Sequence, residues 1–111
     1  MTRIVGGLSG GWTLGYVVSP STRFIYPEMP IFRGLGGVER TPFEVARQPE
    51  GRRVFFEVKR WLDEADVRYG YGAQSRPDWR AVDKAKMAMQ SELVRIGAWD
   101  DELLDTGVKV A

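Results

Sequence analysis

The chain has 111 residues, 43 % hydrophobic and 28 % charged, with a net charge of +1; this fits one small globular domain with a modest core and gives no global field to steer nucleic acid. It contains neither cysteine nor histidine, which excludes disulfides, thiolate metal sites, cysteine nucleophiles and any Ser-His-Asp triad, and leaves carboxylates and carbonyls, ligands suited to Mg2+ or Ca2+, as the only metal donors. No apolar run nears the roughly 18 residues of a membrane span, and the start (one Arg, then glycines) is no secretory leader, so a cytoplasmic or virion-associated location is expected.

Charge is unevenly placed. Residues 1–38 hold four charged side chains, Arg3, Arg23, Glu28 and Arg33, but eight of the 13 glycines. The expected single domain, 1–111, therefore has a Gly- and aromatic-rich β half, 1–38, and a charged, mainly helical half, 39–111. No linker, internal repeat or low-complexity tract separates them.

The first element is "RIVGGLSGGWTLGYVVSP", 3–20. Ile4 and Val5 open it as a strand. Trp12, Leu14, Tyr16 and Val18 follow at period two and share one strand face, with Thr13, Gly15 and Val17 on the other. "GGLSGG" between them reads as a hairpin connection, since glycine supplies positive φ. The competing reading is a phosphate cradle, which needs glycines leading straight into a helix, often with a Lys. Here they lead into "WTLGYVV", no Lys follows, and the G-x-G-x-x-G spacing is absent. "SPST", 19–22, is a turn. "RFIYPEMPIFRG" is extended; Pro27 and Pro30 cannot donate to a ladder, which makes it an edge strand or a wandering arm. "GLGG", 34–37, closes the β half.

"TPFEVARQ" spells a helix start: Thr41 as N-cap, Pro42 at the first helical position, and Glu44 completing a capping box. From Arg53 to Asp66, the residues Val54, Val58, Trp61, Leu62 and Ala65 lie on one helical face, bordered by Phe55, with Phe56 pointing elsewhere. Lys59–Asp63 and Arg60–Glu64 are spaced as i,i+4 pairs. "DVRYGYG", 66–72, alternates Val67, Tyr69 and Tyr71 against glycine, as a short strand does. "SRPDW" then opens the longest helix, with Ser75 as cap and Pro77 and Asp78 in the first turn. Its core stripe is Val82, Ala85, Met89, Leu93 and Ile96, and Gly97 stops it. "WDDELL", 99–104, reads as a short helix, and "VKVA" as a tail or final strand.

Several groups of residues carry functional readings. Trp12, Tyr16, Phe24, Tyr26 and Phe32 are more aromatics than a small β half needs for one covered face. Either they pack on the protein's own helices, or they form the aromatic, charge-poor centre of an interface. Met87 and Val94, seven apart on the outer face of the long helix, could accept another helix. Together these seven are the candidate partner-binding residues. Arg47, Arg52, Arg53, Lys59, Arg60 and Arg68, beside Tyr69 and Tyr71, resemble a single-strand nucleic-acid face. The alternative function rests on Arg52, Arg53, Arg60, Arg68 and Tyr71. Glu44, Glu50, Glu57, Asp63, Glu64 and Asp66 are interleaved with them, as on any solvated helix face. The run Asp100, Asp101, Glu102 and Asp105 lacks the Asp-x-Asp-x-Asp-Gly pattern of a calcium loop, and nothing places Asp63, Glu64 and Asp66 in a cleft.

The expected fold is α+β, a small antiparallel β-sheet or hairpin with an extended N-terminal arm, packed on two principal helices near 53–66 and 77–96. The expected function is non-enzymatic: a protein-binding or assembly protein that meets a protein partner or itself, of the kind a phage encodes as a virion component or an inhibitor of a host protein. No catalytic, cofactor-binding or metal-ligating residue is assigned, and no membrane partner is expected.

Overall fold

The computed structural model describes residues 2–18 and 27–100. The fold is α+β. Four strands, β1 (Arg3–Gly7), β2 (Thr13–Val18), β3 (Glu28–Arg33) and β4 (Glu39–Arg40), form an antiparallel sheet in the order β1-β2-β3-β4. A short helix, α1 (Pro42–Ala46), leads into two long ones, α2 (Gly51–Tyr69) and α3 (Pro77–Arg95).

The period-two alternation of β2 sends Leu14 and Tyr16 to the face that meets the helices. Register extends that face onto β3, where Leu14 pairs with Phe32, Tyr16 with Pro30 and Val18 with Glu28. Leu14 and Phe32 join Val45 and Ala46 of α1, Val54, Phe55 and Val58 of α2, and Val82, Ala85, Met89 and Leu93 of α3 in one buried cluster. Trp61 of α2 lies under β1, where its ring comes within 3.1 Å of the place a Cβ on Gly6 would occupy.

The connections β1–β2 and β3–β4 share one construction. Leu8 N–H donates to the Trp12 carbonyl at 2.8 Å, and Gly34 N–H to that of Val38 at 2.7 Å. Each encloses a Gly-Gly pair with both φ positive, Gly10 and Gly11 at 78° and 79°, Gly36 and Gly37 at 76° and 79°. Glycine takes positive φ without steric cost, which suits a Gly-Gly pair to two successive positive values. The sequence shows no repeat, but "SGGW" and "LGGV" solve the same turn twice.

The start of α1 and the stop of α3 are realised as spelled. Thr41 Oγ1 accepts from Glu44 N–H at 3.2 Å, and the Glu44 carboxylate accepts from Thr41 N–H at 2.9 Å. After α3, Gly97 N–H donates to the Val94 carbonyl and Ala98 N–H to that of Leu93, with Gly97 at φ 75°, the paired bonds of a Schellman stop. Lys59 and Asp63 pair at 3.5 Å.

Four expectations are corrected. β3 is paired on both sides rather than an edge strand or arm; β4 reaches only Phe32 and Arg33, so Pro30 lies where that side of β3 is free, a position proline tolerates. Residues 66–69 continue α2 instead of forming a strand: adding a hydrogen bond to an existing helix avoids a second nucleation, and Gly70, at φ 56°, ends it. Val67 is accordingly 90 % exposed. Ser75 does not cap α3. Its hydroxyl donates to the Gly72 carbonyl at 2.7 Å, and Arg76 is the N-cap residue. Ile96 lies past the last buried turn of α3 and is exposed. The segments "WDDELL" from Asp101 onward, "VKVA" and "SPST" lie outside the described residues.

Candidate functional site

The aromatic set divides. Phe32 is fully buried, and Tyr16 is 2 % exposed; both are spent on the protein's own core because their strand face is the one the helices cover. Trp12 is half-buried. Its indole Nε1–H donates to Glu50 Oε1 at 2.9 Å, and its ring closes over Gly34. Ser9 N–H donates to Glu57 Oε1 at 2.9 Å. The anion held at the glycine turn is thus a carboxylate of α2. Phe24 and Tyr26 lie outside the described residues. Met87 and Val94 are exposed on α3, as their spacing implies.

The other sheet face is not covered by any element among the described residues. Register aligns Ile4, Gly15 and Ile31 across three strands, with Val17 and Met29 in the next row. Ile4 is 54 % and Met29 60 % exposed, while Val17 and Ile31 are half-buried. Gly15 leaves a dip in this surface and is required there: a Cβ would run into the Arg3 carbonyl oxygen, where β1 bulges between Ile4 and Gly6. Its charges are confined to one end, where Arg33 and Glu39 pair with each other at 2.8 Å. No signal in the sequence marks this face, because period two defines two faces without saying which one the helices take.

On the inner side, polar groups tie α3 to the sheet. Tyr16 O–H donates to Asp78 Oδ1 at 2.7 Å. Burial, then this hydrogen bond and the charge of Asp78, push the phenol up to about 12, against a smaller opposing effect of nearby Arg3. Glu28 is buried and held by Arg80 at 2.6 Å and 3.2 Å, while Lys84 donates to the Glu28 carbonyl at 2.8 Å. The bond from Arg80 holds the Glu28 carboxyl below its ordinary range, against burial. Glu92 is likewise buried between Arg95 at 2.6 Å and Arg47 at 3.1 Å, its pKa lowered chiefly by the hydrogen bond from Arg95.

Of the basic set, Arg52, Arg53, Arg60 and Arg68 are all exposed on α2, and the side chain of Tyr71 lies outside what the structure describes. Arg52 pairs with Asp100 at 3.2 Å. Arg60 and Arg68 share a surface depression with Asp63 and Glu64. Asp101, Glu102 and Asp105 lie outside the described residues. No helix among the described residues is long and apolar enough to cross a membrane.

Compared with known proteins, the chain matches no protein-family model, no curated protein and no solved structure.

Proposed function

We propose that this is a non-enzymatic assembly protein that binds a protein surface, in the simplest case a second copy of itself, through the open face of its sheet. The observation that carries this reading is the pair of adjacent rows Ile4–Ile31 and Val17–Met29, apolar and with nothing packed on them among the described residues. Water against such a surface is unfavourable, and a contiguous exposed apolar patch marks an interaction site. A net charge of +1 sets little repulsion between two copies. On this reading the contact surface is the side of β2 opposite Tyr16. A virion component or an inhibitor of a host protein would use the face in the same way.

Nucleic-acid binding draws less support: Arg52 is paired, and Asp63 and Glu64 sit between Arg60 and Arg68.

Size-exclusion chromatography with light scattering over a range of concentrations tests the reading. Wild type should gain mass with concentration, and Met29→Asp should remain monomeric with its unfolding midpoint nearly unchanged, as surface substitutions usually are. A wild-type chain that stays monomeric throughout, and is no less soluble than Met29→Asp, overturns it.

A further inference from the structure

Across the sheet from the open face, a cleft of about 630 Å³ opens between the ends of β1 and β2 and the turn that joins α2 to α3. Its volume lies within the roughly 300–1,000 Å³ of small-molecule sites. Most of its wall is apolar or aromatic, with Tyr16, Tyr69 and Trp79 as the largest members. The Tyr69 and Trp79 rings lie 6.1 Å apart at 45°, and the Arg76 guanidinium stacks 4.1 Å from the Tyr69 centroid.

Two guanidiniums and two carboxylates line this cleft, and the positive excess comes from Arg80 and Lys84, which pair with Glu28. Asp78 keeps its charge while accepting the Tyr16 hydroxyl. The two guanidiniums, Arg3 and Arg76, are both exposed, and neither has a carboxylate partner among the described residues. Stacking on Tyr69 occupies the face of the Arg76 guanidinium and leaves its in-plane N–H groups to hydrogen-bond an anion.

We propose that this cleft binds a small aromatic anion, its carboxylate or phosphate group between Arg3 and Arg76 and its ring against Trp79. The site does not depend on the open sheet face, and its test shares no variant with the one above.

The test follows amide and indole N–H signals of the labelled protein by NMR during titration with phenyl phosphate, benzoate, inorganic phosphate and benzylamine, in separate experiments. Phenyl phosphate or benzoate should shift the Trp79 indole signal, identified by its loss in Trp79→Phe, and the stronger of the two tells phosphate from carboxylate. Arg3→Gln combined with Arg76→Gln should weaken that binding by about tenfold or more, the loss of a charge-assisted contact. Lys86→Ala, about two helical turns beyond Trp79, should leave it unchanged. Binding of inorganic phosphate as tightly as phenyl phosphate, binding of benzylamine as tightly as either anion, or no shift at millimolar ligand each overturns the proposal.

Discussion

Tyr16 shows how one side chain is committed from both ends. Its ring fills the inner face of β2, and its hydroxyl reaches Asp78 in the first turn of α3. Tyr16→Phe keeps the ring and removes the donor, leaving Asp78 without that partner. The loss at neutral pH should be about 1–2 kcal/mol, the cost of deleting a buried hydrogen bond to a charged group. The phenol is raised from 10.0 to about 12 in the folded chain. A raised folded value means that the contribution is complete below pH 10 and is lost as pH climbs through 12. Urea denaturation of both chains should therefore show a stability difference that is constant to pH 10 and then shrinks. A difference independent of pH up to 12 would show that the hydroxyl titrates as in the unfolded chain.

At the scale of elements, legibility tracks how local the cause is. Thr41, Pro42 and Glu44 specify the start of α1 within four residues, and Gly97 specifies the stop of α3, so both could be read directly. β4 could not: two residues, Glu39 and Arg40, are a strand only because Phe32 and Arg33 lie opposite them. The alternation in "DVRYGYG" gave way to helix for the converse reason, a neighbour already helical. For the candidate site, the exposure of Met87 and Val94 was legible from helical spacing, whereas the fate of Tyr16 and Phe32 depended on which sheet face the helices would cover. The junction of α1 and α2 is equally non-local. A Cβ on Gly51 would collide with the Ala46 carbonyl oxygen and lie 2.9 Å from that of Val45. Alanine in place of glycine ordinarily favours a helix by about 1 kcal/mol. Gly51→Ala should instead destabilise by about 1–3 kcal/mol, the cost of overpacking, seen as a lower denaturant midpoint. A higher midpoint would mean that the α1–α2 junction opens freely.

For the molecule as a whole, α3 is the hub: it packs on α1, α2, β2 and β3, and its buried ion pairs are where acid should act. Glu28 joins β3 to Arg80 and Lys84, and Glu92 joins α3 to Arg47 at the end of α1. Both carboxyls have folded pKa values below the ordinary 4.5. A lowered folded value means that their contribution is present above pH 4.5 and is lost as pH falls through the folded value, because the unfolded chain takes up the proton first. Glu28→Gln tests the more central of the two. At neutral pH it leaves Arg80, itself mostly buried, facing an uncharged amide, and should cost about 2 kcal/mol, within the range for hydrogen bonds to charged groups. Below pH 4.5 the wild type should lose stability faster than the variant, and the two denaturation midpoints should converge. Parallel acid profiles would place the acid-sensitive step elsewhere, with the Glu92 pairs to Arg47 and Arg95 as the remaining buried carboxylate contacts among the described residues.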